Sequence, residues 1–292
     1  MRNPLLDVVP AGIRDLLGQV PDPRNRLNDL SGTQWLVETK SVWRQRGLGQ
    51  AHPHAEIERL HPAPFSFQDV GRLIAFFTKS GEQVLDPFVG VGSTLKACAL
   101  LGRRGIGIEL SAKWSTLARS RLKREIGLGH GQRVLRGDAS VVLKRIPNET
   151  IDFVLTSPPY WNILAKTADY KGQARLQAGL DAIYSDDPRD LGNVKSYDKF
   201  LAALASMLAT ATTKLRPGKY AAFIVSDFRH GKRFIPFHAD LIAALNGFDL
   251  ELRGITILEQ THKALKPYGY PYAFVSNVHH QYILVFQRSV RP

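Results

Sequence analysis

Apolar and polar positions follow two textures along the chain, and the change comes near residue 61. Residues 1–60 are rich in Pro, Gly, Asn and Arg and carry few periodic apolar runs. Beyond them, Val70, Leu73, Ile74 and Phe77 recur on one face of a helix predicted over Phe67–Thr78. A short apolar run, QVLD, breaks into the glycine-rich DPFVGVGST, after which a helix is predicted from Thr94 to Leu101. RGIGIEL (Arg104–Leu110) reads as a second strand, and Ser111 as the N-cap of a helix over about Ala112–Glu125. Strands follow at Arg133–Leu135 and Ile151–Thr156. The stretch 162–196 is polar, without periodicity, and reads as an insertion or long loop. A helix over Tyr197–Leu215 is predicted to stop at Pro217-Gly218. Then come a strand (Tyr220–Ser226), a helix (Phe237–Leu245), and strands at Leu250–Leu258 and Tyr282–Phe286. Strands alternating with helices predict an α/β fold, with a mostly parallel central sheet and helices on both faces. The expected organisation is an N-terminal arm, 1–60, followed by one domain, 61–292, with a further loop at about 260–275.

The glycine-rich turn changes the picture from fold to chemistry. In an open parallel sheet, ligands bind at the carboxyl ends of strands. The first strand delivers Asp86, Pro87, Phe88, Gly90 and Gly92 there, and the two glycines let the backbone approach a ligand and enter a helix. This is neither the six-residue dinucleotide fingerprint nor a phosphate loop with its Gly-Lys-Ser/Thr. The second strand ends at Glu109 and Leu110, about twenty residues on, where a carboxylate can take both hydroxyls of a ribose. Asp138 and Ala139 close the third, where a side chain could accept from an adenine amino group, or where Asp138 could simply cap a helix. Taken in order, these residues predict a cofactor that bears a nucleoside.

Thr156-Ser157-Pro158-Pro159-Tyr160 follows the strand IDFVLT. Two prolines end the strand and hold the next backbone rigid and extended. The Ser157 hydroxyl and the Pro158 carbonyl can both accept from an exocyclic amino group, and Tyr160 offers a π-face to a base taken out of its stack. The bland alternative is a proline turn that merely leaves a strand.

With both motifs in view, the chain resembles the S-adenosylmethionine-dependent DNA amino-methyltransferases, which methylate N4 of cytosine or N6 of adenine. DPFVGVGST matches their cofactor motif, TSPPYWN their catalytic motif, and HPAPFS (His61–Ser66) the segment that closes over the methionine end of the cofactor. The resemblance covers roughly residues 61–160, and Tyr220–Phe286 more loosely. It implies the Rossmann-like methyltransferase fold. It implies that His61, Pro62, Phe65, Asp86, Pro87, Phe88, Gly90 and Gly92 surround the methionine part of S-adenosyl-L-methionine. Glu109 and Leu110 would then serve the ribose, Asp138 and Ala139 the adenine, and Ser157, Pro158, Pro159 and Tyr160 the catalytic pocket. Within the family, Ser at the first catalytic position accompanies cytosine N4 more often, and Asp adenine N6. The implied activity is therefore cytosine-N4 methylation of duplex DNA by base flipping, with adenine N6 as the alternative and RNA amino-methylation behind it. The cofactor motif precedes the catalytic one here, whereas relatives with DPF-type and SPPY motifs more commonly have the reverse order. That departure leaves the base-reading region open, with the insertion at about 162–196 as one candidate and the loop that holds KALKPYGYPY as a second.

Charge fits this reading without requiring it. The 292 residues hold 39 Lys+Arg against 26 Asp+Glu, a formal excess of +13 that suits a polyanionic partner. Candidate phosphate contacts are Arg44 and Arg46 in the aromatic-basic segment QWLVETKSVWRQR, Arg229, Lys232 and Arg233, and Lys263 and Lys266 in KALKPYGYPY. The first segment could equally be an arm packed on the core. Hydrophobic residues at 44% and charged residues at 22% exclude general disorder. No apolar run reaches the roughly 18 residues of a membrane span, and the N-terminus shows no signal-peptide pattern. A single cysteine, Cys98, excludes an internal disulfide and a Cys-cluster metal site, and no metal is expected at the His279-His280 pair. The expected setting is the cytoplasm, at the nucleoid of a prokaryote. A cognate restriction endonuclease and a homodimer are left open as partners.

Overall fold

The computed structural model describes residues 20–45, 57, 60, 66–161, 186–261 and 263–290. The segment 61–65, Arg46 and residues 162–185 lie outside them. That places His61, Pro62, Phe65 and most of the expected insertion outside the described residues.

The first elements among the described residues are a short helix, α1 (Gly32–Glu38), and a strand, β1 (Val42–Arg44). Then follow α2 (Phe67–Phe77), β2 (Gln83–Asp86), α3 (Ser93–Leu100), β3 (Arg104–Glu109), α4 (Ala112–Glu125) and β4 (Arg133–Arg136). A one-turn helix α5 (Ala139–Val142) leads to β5 (Ile151–Thr156), and α6 (Tyr197–Thr212) to β6 (Leu215–Val225). A small hairpin, β7 (Phe228–His230) and β8 (Arg233–Ile235), precedes α7 (Phe237–Leu245), β9 (Leu250–Glu259) and β10 (His280–Arg288). Caps follow the residues that the sequence supplies. Ser66 and Ser111 accept from backbone N–H groups at the starts of α2 and α4.

Eight strands form one sheet in the order β1-β9-β10-β6-β5-β2-β3-β4. Every neighbouring pair is parallel except those of β10, which runs antiparallel between β6 and β9. This is a Rossmann-like, doubly wound α/β architecture. From β2 the chain builds outward to β3 and β4, returns to β5 beside β2, and builds the other way. The order therefore reverses between β2 and β5, and that switch point is where such sheets leave a crevice. β5 is buried at all six positions, as a central parallel strand covered on both faces must be. One core lies between the sheet and α6 and α7, the other between the sheet and α2 and α3. Among the described residues no helix is long and apolar enough to cross a membrane.

One expectation needs correction, and one open choice is resolved in part. The helix α6 ends at Thr212, where Thr212 and Thr213 turn their hydroxyls back onto the carbonyls of Ala209 and Thr210. Pro217 and Gly218 do not terminate it. They sit in a bulge of β6, in which residues 216–219 lie opposite the single residue Asp152, between the pairs Ile151–Leu215 and Phe153–Tyr220. Asp152 holds that bulge through Arg216 and through Lys219 at 3.6 Å. The open choice concerns the arm. Of the two readings of the Trp35–Arg44 segment, the packed one is observed. Trp35 lies 5.0 Å from Phe76, the guanidinium of Arg72 sits 3.7 Å over buried Trp43, and β1 is the outer strand of the main sheet.

Arg72 is also buried against Glu38, at 2.9 Å. Removing one partner of such a pair strands the other charge in the interior. Arg72→Ala should therefore lower stability by about 3 kcal/mol in urea titrations, whereas the double change Arg72→Leu, Glu38→Leu should cost much less. Equal losses in both variants would show that the pair's charge is irrelevant to docking the arm.

Candidate active site

The glycine turn leaves β2 by a hydrogen bond from Val89 N–H to the Ile108 carbonyl on β3. Gly90 (φ 51°) and Gly92 (φ 83°) take left-handed conformations that favour glycine, and Gly92 is the N-cap of α3. The turn can lie so close to β3 because Gly107 has no side chain. A Cβ there would sit 2.6 Å from Val89. The turn, the end of β3, the end of β4 and the Ser-Pro-Pro segment surround one cleft, about 710 Å³ with its open mouth.

Pro87, Phe88, Gly90, Glu109, Leu110, Asp138, Ala139, Ser157, Pro158 and Pro159 all line that cleft. Asp86 and Gly92 do not, and this corrects their expected place. Asp86 is buried beneath the turn, and its carboxylate accepts from Thr94 Oγ1 (2.6 Å), Thr156 Oγ1 (2.6 Å) and the Phe88 N–H (3.0 Å). Burial pushes its pKa up to about 6, against the pull of those three donors. Gly92 faces the backbone of Ala118 in α4. Both shape the turn from behind.

Glu109 accepts from the Gly90 N–H (3.0 Å) and the Ser111 N–H (2.8 Å), one on each oxygen. A carboxylate oxygen has capacity for more than one donor, so both can still accept from a ligand in the cleft. Burial pushes its pKa up to about 7, and Asp190 adds to the rise. Asp138 does cap α5, accepting from the Ser140 N–H (2.8 Å) and hydroxyl (2.7 Å) through Oδ1, while it also faces the cleft. The capping and the cleft-facing readings are thus both realised.

Tyr160 stands apart from the cleft. Its ring lies 6.4 Å from Phe228 and 6.2 Å from Phe237, and its hydroxyl accepts from Gln281 Nε2 at 3.4 Å. Burial pushes that hydroxyl up to about 12, so it stays protonated at neutral pH. Trp161 is buried, donates to the Val194 carbonyl at 2.7 Å and stacks on His230 at 4.5 Å.

Several cleft residues carry no motif and were not anticipated. Trp114, Met207, Arg189, Asp190 and Leu191 complete the walls. The last three lie near the C-terminal end of the stretch 162–196, and that end lines the cleft. Also unanticipated is Asp227, buried just after β6, whose carboxylate lies 2.7 Å from His238 Nδ1, with the His238 ring stacked on Tyr282 at 3.8 Å. A polar residue closing a strand of a parallel sheet was the available signal. Among the described residues no cluster of three His, Cys, Asp or Glu could hold a metal ion, and Cys98 is buried.

Of the basic candidates, Arg44 is exposed at the end of β1, 3.4 Å from Glu259. Lys232 and Arg233 are exposed in the β7–β8 hairpin, and Arg229 is half-buried beside them. Lys263 is half-buried and donates to the Val278 carbonyl, and Lys266 is exposed. All follow the carboxyl ends of β1, β6 or β9, on the cleft's side of the sheet.

Comparison with known sequences agrees with this geometry. Residues 17–120 match the family model described as DNA methylase. A type II methyltransferase of Methanothermobacter thermautotrophicus, M.MthZI, is 33% identical over 122 residues, which are 41% of this chain and 30% of that protein. Over these residues the chain is similar to the DNA amino-methyltransferases. A tRNA (guanine(10)-N2)-dimethyltransferase of the same genus and species is also similar to this chain, at 32% identity over 108 residues, 37% of this chain and 30% of that enzyme. The matches thus span about a third of the length of these curated relatives. Among solved structures, TrmN from Thermus thermophilus aligns over 76% of this chain and 48% of its own, with a TM-score of 0.47 and 21% identity.

The raised pKa of Glu109 carries a consequence for stability. A carboxyl that holds its proton more tightly folded than unfolded stabilises the fold fully below its ordinary 4.5 and loses that contribution as pH rises through about 7. Glu109→Gln should therefore gain stability over the parent chain as pH rises from 4.5 to 7.5, by about 2 kcal/mol at most, since the group keeps some solvent access. Thermal melts of both proteins across that range check it. A constant difference would mean that Glu109 does not titrate there.

Proposed function

We propose that the chain is a site-specific DNA methyltransferase that moves a methyl group from S-adenosyl-L-methionine to the exocyclic N4 of cytosine in duplex DNA, the base being flipped out of the helix. The observation that carries this reading is one cleft shared by Glu109, Asp138 and the Ser157-Pro158-Pro159 turn. The residues present suit the cofactor. Glu109 keeps acceptor capacity for a ribose diol, the glycine turn admits a close backbone approach, and Phe88, Trp114 and Leu191 give apolar walls.

When bound, S-adenosylmethionine supplies an electrophilic sulfonium methyl. The rest falls to this chain. Glu109 and Leu110 would hold the ribose, Asp138 and Ala139 the adenine, and Pro87, Phe88 and Gly90 the methionine part, with His61, Pro62 and Phe65 closing over it. The Ser157 hydroxyl and Pro158 carbonyl would accept the two N–H bonds of the target amino group, turning its lone pair toward the methyl. Alignment of that kind can supply much of a barrier reduction without a carboxylate base, because the methyl donor is already activated. Ser157 in place of an acid supports cytosine over adenine. Tyr160, held by Gln281 and flanked by Phe228, supports the pocket for the flipped base. Arg44, Arg229, Lys232, Arg233, Lys263 and Lys266 would contact phosphates from the cleft's side of the sheet, and Arg46, outside the described residues, is proposed for the same role. The type II designation of M.MthZI supports a restriction endonuclease as partner.

Incubation with labelled cofactor and unmethylated duplex DNA, then digestion to nucleosides and mass analysis, tests this directly. N4-methylcytosine is expected. N6-methyladenine would replace the target base, and label found only on RNA would refute a DNA substrate. Tyr160→Ala should lower turnover about a hundredfold while cofactor affinity changes little, as measured by calorimetry, in line with a group acting on the reacting base.

A further inference from the structure

The connection between β9 and β10 displays aromatic rings to solvent. Tyr268 is 48% exposed, Tyr270 80%, Tyr272 94% and Phe274 90%, all within seven residues. Rings of this size gain most from burial, so four of them held in water on one loop mark a contact surface.

The loop is braced rather than loose. The Asn277 side chain accepts from the Lys266 N–H (2.9 Å) and donates to the Lys266 carbonyl (2.8 Å), clamping its two limbs. Gly269 (φ 74°) takes hydrogen bonds at 2.7 Å on its carbonyl from the Tyr272 and Ala273 N–H groups. A Cβ on Gly269 would lie 2.3 Å from the Ala273 carbonyl oxygen, so the tight turn that projects the rings requires glycine. A braced display loses little conformational freedom when it is covered.

Its position selects the partner. The loop leaves β9 at its carboxyl end, the sheet edge at which β5 delivers Ser157. Its distal limb enters β10, where Gln281 donates to the Tyr160 hydroxyl at 3.4 Å. Its near side meets the basic hairpin, with Arg229 donating to Ser276 Oγ at 3.5 Å, while exposed Lys232 and Arg233 lie at the hairpin's turn. Rings flanked by cations, beside a site that acts on a base, match a polymer of phosphates and stacked rings.

We propose that Tyr270, Tyr272 and Phe274 form a wedge that stacks against bases of duplex DNA and opens the helix beside the target. This rests on the methyltransferase reading and adds to it the element that meets the cost of unstacking.

The test uses the full-length chain and the variant Tyr270→Ser, Tyr272→Ser, Phe274→Ser, whose changes are all at exposed side chains and should leave the melting temperature unchanged. The probe is a 20-base-pair duplex with 2-aminopurine in a mismatched pair, whose fluorescence rises when the base unstacks. The parent chain should raise it severalfold and the variant should not. Methylation of unmodified plasmid DNA should fall at least about tenfold in the variant, while that of the same DNA heat-denatured to single strands should change less than about threefold. No fluorescence rise with the parent chain, or the same rise with both proteins, overturns the wedge. Equal losses on duplex and single strands overturn it as well. If the probe opens but the parent methylates neither substrate, the wedge stands and the methyltransferase reading fails. Should sedimentation show a dimer that the variant loses while duplex opening is unchanged, the rings serve a second copy of this chain and the proposal falls.

Discussion

The carboxylate of Asp86 is the contact on which the site depends. It lies at the end of β2, where the sheet's strand order reverses, and takes hydrogen bonds from three directions: its own turn, the start of α3, and the end of β5. The last is the decisive one. Thr156 immediately precedes Ser157, so one buried acid sets the spacing between the glycine turn and the Ser-Pro-Pro turn. Two backbones that meet side by side in a parallel ladder have little other means of fixing the loops beyond their ends, because the ladder stops where the loops begin. Desolvation works against Asp86, and its elevated pKa records that cost. The three donors offset it, and each is aligned only if the two turns are in place.

Buried charge has a structural share elsewhere too. Lys96, Arg121 and Glu125 meet inside the fold at 2.6 and 3.2 Å, and Lys96 also sits 3.8 Å over the Phe67 ring. Together with Arg72 and Arg103, which are also buried, they show that some of the 39 Lys and Arg brace the interior. Composition counts these side chains alongside the exposed ones. The cations available to a polyanion are the smaller set that follows the strand ends.

Most of the fold was legible because its central elements obey one period at a time. β5 is a continuous apolar run, α4 begins at a serine that caps it, and α7 has clear ends. The motifs were legible for a related reason, since ligand-facing residues cluster just past strand ends. What escaped was whatever long-range packing decides. A three-residue strand such as β1 is too short to show a period, and its identity rests on Ile257 and Leu258 across more than two hundred residues. The bulge at Pro217-Gly218 depends on pairing with β5, which local sequence does not display. Asp86 looked like a ligand contact because an acid after a strand usually faces outward, and its partner Thr156 lies 70 residues away. Arg189, Asp190 and Leu191 reach the cleft through tertiary packing of a stretch with no periodicity of its own.

The antiparallel insertion of β10 has a further consequence. Its pairing with β9 runs from His280 opposite Glu259 to Arg288 opposite Leu250, and its pairing with β6 from Tyr282 opposite Val225 to Gln287 opposite Tyr220. Register is thereby set on both sides, independently of the residues that join the two strands. The joining loop is clamped to itself near its base by Asn277. Its outer residues can lengthen, shorten or be exchanged while the ladder holds the same alignment. The parallel strands carry their loops in crossovers whose helices must also pack, so a change there propagates into the cores. The β9–β10 connection is a replaceable fitting on a fixed mount, and variation in what the surface meets can accumulate there without remaking the sheet.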